Sequence, residues 1–142
     1  MNIKIYTDGG SLNNPGQAAS AYVIYQDNKM VEKCGKKLGI ATNNVAEYTA
    51  LILAFEKIKS LLSLPREALA KWGPISLISV FSDSALMVNQ LNGIFKVKNG
   101  GIRELVMKVK ILEQEINVPI TYKYIPREQN TLADSLVKEQ LR

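Results

Sequence analysis

Four carboxylates stand where the chain passes between predicted elements. Asp8 precedes Gly9-Gly10, Glu47 lies just inside the first turn of a long helical pattern, Asp83 sits between Ser82 and Ser84, and Asp134 follows Asn130 by four residues. In open α/β sheets ligands gather beyond the carboxyl ends of strands, where the chain switches direction. If the strands ending at Asp8 and Asp83 are parallel neighbours, their carboxylates converge from distant parts of the sequence, which is how a metal site is assembled. Glu47 and Asp134 are the further candidates for the same edge. Taken singly, each acid has a plainer reading: Asp8 and Asp83 as turn or N-cap residues, Glu47 as half of a capping box with Asn44, Asp134 as complement to a helix dipole. Those readings leave unexplained why the acids meet at one predicted edge of one sheet.

The composition narrows the chemistry. Histidine is absent, which excludes Ser-His-Asp and Cys-His catalysis, zinc sites of the HExxH type and histidine-held haem. Cys34 is the single cysteine, so there is no intramolecular disulfide and no cysteine-rich metal site, a pattern that suits a reducing compartment. The 142 residues fit one domain, 1–142, with a core of its own. The N-terminal MNIKIYTDGG lacks the apolar core of a signal peptide, and no apolar run reaches the length of a membrane span. A soluble, cytoplasmic protein without a membrane partner is expected. The net charge of +5 gives a modest attraction for polyanions.

The elements that must position the acids follow from periodicity. Ile3 and Ile5 alternate with Lys4 and Tyr6, predicting a strand that ends at Asp8 before a turn cluster from Gly9 to Gly16. Ala18–Gln26 and Met30–Gly39 read as two strands joined by a hairpin-length loop. Thr42-Asn43-Asn44 offers capping residues for a helix over about 44–62. Leu64–Gly73, with Trp72, reads as a connection with room for a short helix. Ile75–Phe81 reads as a strand buried on both faces, followed by a helix over Ala85–Leu91. Ile102, Leu105, Val106, Val109, Leu112 and Ile116 mark an amphipathic helix, Pro119–Ile125 a last strand, and Asn130 the cap of a final helix. A hairpin meander followed by helix-linked strands predicts an α/β fold with a mixed five-stranded sheet, three antiparallel strands then two parallel ones, flanked by helices.

Four segments in this order carry a resemblance: Thr7-Asp8-Gly9-Gly10-Ser11 with Asn14-Pro15-Gly16, Thr42-Asn43-Asn44 with Glu47, Ser82-Asp83-Ser84, and Asn130 with Ala133-Asp134. Over nearly the whole chain the sequence resembles type 1 ribonuclease H (RNase HI). The resemblance implies a ribonuclease H-like fold and an endonuclease that hydrolyses the RNA strand of RNA/DNA hybrids to 5′-phosphate and 3′-hydroxyl products. It further implies that Asp8, Glu47, Asp83 and Asp134 are both the catalytic residues and the metal ligands of a two-metal site. Hard oxygen ligands suit Mg²⁺, with Mn²⁺ as a substitute, and two such ions stabilise the attacking and departing oxygens of phosphodiester hydrolysis. Asn14, Asn43 and Asn44 match minor-groove contacts of the family, where 2′-hydroxyls distinguish RNA. Turn and cap chemistry is the alternative for all three. Lys98 and Asn99 fall in a segment resembling one near the DNA-strand phosphates, and Ser11, Ser84 and Asn130 complete the candidate substrate set.

The sequence also departs from the family. Many relatives carry a histidine in the loop before the final helix, whereas this loop reads Tyr124-Ile125-Pro126-Arg127-Glu128-Gln129-Asn130. Arg127 is the candidate for stabilising phosphate charge and Glu128 for relaying a proton; solvated loop residues would look the same. The stretch from Leu91 to Ile102 is too short for the basic helix that longer relatives use as a substrate handle. A monomer acting on RNA/DNA hybrid is expected. Double-stranded RNA is the second candidate substrate, and a non-catalytic nucleic-acid-binding module on the same fold is the alternative.

Overall fold

Alternation of apolar and polar residues builds the sheet, and the computed structural model, which describes residues 1–69 and 73–142, gives its limits. The strands are β1 (Asn2–Ser11), β2 (Gly16–Gln26), β3 (Lys29–Ala41), β4 (Leu77–Ser82) and β5 (Ile120–Tyr124). They form one sheet in the order β3-β2-β1-β4-β5. β1 pairs antiparallel with β2 and β2 with β3, while β4 runs parallel to β1 and β5 parallel to β4. The three-plus-two arrangement expected from the sequence is the one observed.

Among the described residues the α-helices are α1 (Asn43–Leu62), the short α2 (Arg66–Leu69), α3 (Ala85–Leu91), α4 (Gly100–Ile116) and α5 (Thr131–Gln140). α1, α3 and α4 each start where a polar side chain accepts a first-turn N–H. Thr42 Oγ1 accepts from Val45 N, Ser84 Oγ from Met87 N and Asn99 Oδ1 from Ile102 N. Thr42 therefore caps α1, and Glu47 forms no capping box with Asn44. α4 ends at Asn117, whose φ of 55° takes the chain out of the helix two residues before Pro119. No helix among the described residues is long and apolar enough to cross a membrane.

The two faces of the sheet are covered unequally. Ile3, Ile5, Ile24, Ile78 and Val80 pack against Leu51, Phe55 and Ile58 of α1 and Val109 and Leu112 of α4. On the other face α5 lays Val137 and Leu136 over Ala19 and Ala21. Small residues on β2 are what let a helix sit that close.

Among the boundaries that differ from the sequence expectation, two have clear physical reasons. β1 runs on past Asp8 to Ser11, because Gly9 and Gly10 pair with Ser20 and Ala19 of β2 and only Leu12–Pro15 make the turn. β4 begins at Leu77 rather than Ile75. It buries Ile78, Val80 and Ser82 but leaves Leu77, Ser79 and Phe81 partly exposed, since α5 does not extend over that part of the sheet. The connection after α1 holds the short helix α2; Trp72 lies outside the described residues.

Candidate metal and active site

Parallel pairing decides where two of the acids go. Thr7 of β1 stands beside Ser82 of β4 as the last pair of that parallel ladder, so the residues that follow come side by side: Asp8, still paired with Ala21 of β2, and Asp83, just past the end of β4. Glu47 reaches the same edge because α1 crosses β1 at Gly9 with almost no clearance. A Cβ on Gly9 would lie 2.3 Å from the Ala46 carbonyl carbon and 2.5 Å from the Glu47 nitrogen. Ser20 on β2 locks the crossing, its hydroxyl donating to the Ala46 carbonyl at 2.6 Å. Gly9→Ala is accordingly expected to push α1 off the sheet. Both thermal stability and Mg²⁺ affinity should fall, the latter by at least about tenfold by calorimetry, since ligand sets tolerate little displacement. Unchanged Mg²⁺ affinity would show that Glu47 does not need this contact.

One carboxylate oxygen from each of Asp8, Glu47 and Asp83 lies within 4.8 Å of the other two. All three groups are withdrawn from water, and Glu47 Oε2 and Asp83 Oδ2 are buried without a hydrogen-bond partner. Burial, and then the charges of Asp83 and Asp134, push the Asp8 carboxyl up to about 8. Burial, followed by the Asp8 and Asp83 charges, drives Glu47 well above the usual carboxylate range. Asp83 is raised by burial against the opposing pull of the Arg127 guanidinium, whose Nε lies 3.9 Å from Asp83 Oδ2, and of hydrogen bonding by Asn130 and Asp8. Crowded, desolvated carboxylates with oxygens left free of hydrogen bonds can hold a proton or a cation but are poorly placed to hold neither. Oxygen-only ligands with free lone pairs fit a hard divalent ion such as Mg²⁺ or Mn²⁺.

Asp134 stands apart from that trio. It comes from the first turn of α5, near enough that its charge and hydrogen bonding raise Asp8, but its Oδ2 is ion-paired with Lys138 Nζ at 2.9 Å. Asn130 holds α5 against β1: its Nδ2 donates to the Thr7 carbonyl at 2.8 Å, so it occupies the cap position without making a side-chain cap. Its Oδ1 is buried and unpartnered. Asn130→Ala would leave the buried Thr7 carbonyl unpaired and is expected to cost about 1–3 kcal/mol in urea unfolding. A loss below about 0.5 kcal/mol would mean that water replaces the amide.

The candidate substrate residues divide into two groups. Ser11, Asn14 and Asn43 form one network stitching the β1–β2 turn to the start of α1. Asn43 Oδ1 accepts from Ser11 N at 2.9 Å and Ser11 Oγ at 3.1 Å, and Asn43 N donates to Asn14 Oδ1 at 2.9 Å. Asn44 is exposed beside them. Ser84 and Asn99 serve as helix caps, and Lys98 and Arg127 are exposed. Gly9, Ser20 and Lys138 were not singled out by sequence reasoning. Of these only Lys138 had a legible signal, its position four residues after Asp134 on one helix face.

A mixed three-plus-two sheet flanked by helices, with an acidic cluster beyond its two central strands, defines the ribonuclease H-like fold. The family model for RNase H matches residues 1–142, and the chain belongs to that family. Ribonuclease HI of Halobacterium salinarum is 33% identical, covering 98% of this chain and 64% of the relative. Its crystal structure superposes with a TM-score of 0.81 over 99% of this chain and 98% of the other. A bifunctional protein of Mycobacterium tuberculosis is 32% identical over 99% of this chain but only 36% of its own length. The chain thus spans about a third of that relative. LC11-RNase H1, from compost by a metagenomic approach, was solved in complex with RNA/DNA hybrid. It matches at 35% identity and a TM-score of 0.84, covering 96% of this chain and 94% of that one.

Proposed function

We propose that this chain is a single catalytic domain, a metal-dependent endoribonuclease that hydrolyses the RNA strand of RNA/DNA hybrids. The observation that carries the reading is the convergence of Asp8, Glu47 and Asp83, with two buried carboxylate oxygens left without a hydrogen bond. Family membership and the hybrid-bound LC11 relative support the substrate class.

Asp8, Glu47, Asp83 and Asp134 would hold two divalent ions, Mg²⁺ or in its place Mn²⁺. When bound, such ions lower the pKa of a water and stabilise the charge on attacking and departing oxygens. The chain's own residues do the rest. Asn14, Asn43 and Asn44 sit on one rim and would read 2′-hydroxyls in the minor groove, with Asn14 and Asn43 already fixed by mutual hydrogen bonding. Arg127, on the opposite rim beside Asp83, would bear on phosphate charge. Asn130, fixed to Thr7, keeps α5 and therefore Asp134 in register with β1. The in-line displacement adds a water oxygen to phosphorus, breaks the P–O3′ bond and leaves the proton on the departing 3′-oxygen, giving 5′-phosphate and 3′-hydroxyl ends. We place the protein in the cytoplasm as a monomer.

The test is an end-labelled panel of RNA/DNA hybrid, double-stranded RNA, single-stranded RNA and duplex DNA, with Mg²⁺, Mn²⁺ or chelator. Metal-dependent cutting confined to the RNA strand of the hybrid is expected. Equal cutting of double-stranded RNA would widen the substrate class, and binding of hybrid with no cutting under either metal would overturn the catalytic reading in favour of a binding module.

A further inference from the structure

The part of the sheet that no helix covers has its own chemistry. The strand register places Lys4 and Tyr6 of β1 beside Tyr25 and Val23 of β2, and beside Ser79 and Phe81 of β4. The outer strands add Lys33, opposite Val23, and Lys123, opposite Phe81. Tyr6 stacks on Phe81 with ring centroids 4.9 Å apart and meets Tyr25 edge-on at 5.6 Å. Between these residues and the start of α5 lies a cavity of about 340 Å³, bounded by Lys4, Tyr6, Tyr25 and Asn28 on the sheet side and by Gln129–Ala133 on the other.

Three cations gather on this surface. Lys4, Lys33 and Lys123 are cations, and the acid at the far turn, Asp27, is tied to the Asn2 N–H at 2.9 Å. Among the described residues neither Lys33 nor Lys123 has a hydrogen-bond or ion-pair partner. α5 begins at the cavity without a side-chain cap, adding the positive end of a helix dipole to the same side. Cations that track phosphates, alternating with ring edges and faces that meet unpaired bases, are the ingredients of a single-strand binding surface. A duplex, whose bases are paired and stacked, has no use for the tyrosines. Asp8 follows Tyr6 by two residues on β1, about 7 Å along the strand, so a strand held at the acidic edge can run on to this face.

We propose that the uncovered sheet face binds a single-stranded nucleic-acid segment continuing from a hybrid held at the acidic site, with Lys4, Lys33 and Lys123 on its phosphates and Tyr6 and Tyr25 against its bases. This rests on the hybrid-cleaving reading above. The experiment measures fluorescence anisotropy in chelator for a blunt hybrid, the same hybrid with a short single-stranded tail, and the tail oligonucleotide alone. It compares the unaltered protein with a Lys4→Gln/Lys33→Gln/Lys123→Gln variant and with Tyr25→Leu, each checked for folding by circular dichroism. The tail is expected to tighten binding at low salt by at least about fivefold, through stacking and phosphate contacts. Both variants should lose that gain while binding blunt hybrid within about twofold of the unaltered protein. A tail that adds nothing, or a gain that survives in the variants, overturns the proposal. Blunt hybrid neither bound nor cut by the unaltered protein counts instead against the hybrid reading; the tail alone, bound by the unaltered protein and lost by the variants, then still supports the face as a single-strand site.

Discussion

Replacing Asp8 by Asn is expected to reduce hybrid cleavage by at least about a thousandfold while making the metal-free protein more stable. The two effects have one cause. Asp8 is the most central of the acids, next to Glu47 and Asp83 and within reach of the Asp134 charge, and it is buried. Asn fills the same volume and can still accept a hydrogen bond but brings no charge, so it relieves repulsion that the acids otherwise bear in chelator. A gain of about 2 kcal/mol, or roughly 6 °C in Tm for a chain of this size, is expected by calorimetry in chelator. Added Mg²⁺ should narrow or reverse that difference, because only the unaltered protein gains from the ion. A variant that cuts within tenfold of the original rate would remove Asp8 from the reaction. One that melts lower in chelator would show that the carboxylate is well satisfied rather than crowded.

The second large effect concerns pH. The folded-state pKa of Asp8 is raised from 3.8 to about 8, so its sign runs opposite to that of a salt-bridged acid. Below pH 4 both folded and unfolded chains keep this proton. Between 4 and 8 the folded protein holds a proton that the unfolded chain has released, and stability therefore falls as pH rises. Above 8 both states have lost it and the decline stops. Glu47 is shifted in the same direction, so it adds to the slope. Together they are expected to remove stability on the order of a few kcal/mol across that window in chelator. Divalent ions favour the ionised carboxylates, so saturating Mg²⁺ should raise Tm far more at pH 8 than at pH 5. Scanning calorimetry over this range, with and without Mg²⁺, checks both statements. A Tm in chelator that climbs from pH 5 to pH 8 would contradict the first, and an Mg²⁺ effect equal at both pH values the second.

Much of this was legible from residue types because local and tertiary preferences agree. The alternation in Ile3–Tyr6 and the helical spacing after Thr42 and in Ile102–Ile116 specify elements whose buried faces are the ones that pack. The convergence of Asp8 and Asp83 followed from expecting parallel neighbours, and the register of β1 with β4 supplies it. What was not legible depends on other parts of the chain. Gly9-Gly10 reads locally as a turn, yet it is strand, because β2 pairs with it and α1 demands a residue without a side chain at that crossing. Ile75–Phe81 reads as doubly buried, but whether its second face is covered depends on the reach of α5, which no local pattern records. Asn130 reads as a helix cap, and its amide instead serves a carbonyl in the first strand. Asp134 is a ligand candidate through the motif it shares with Asn130, while its ion pair with Lys138, four residues on, was open to reading from the spacing alone.

The link between Asn130 and Thr7 ties residues 123 positions apart, joining β1 to α5, which is made much later. During vectorial synthesis on a ribosome, β1 and β4 emerge with their acids long before α5 can close over them. An incomplete chain therefore displays Asp8 without Asp134, and Thr7 without its buried partner. A polypeptide released early, truncated before α5, would lack both the fourth carboxylate and the clasp that sets the edge, and so would carry the acids of the site without its assembled form. The edge that gathers these acids is thereby set only once α5 docks on a strand that was made long before it.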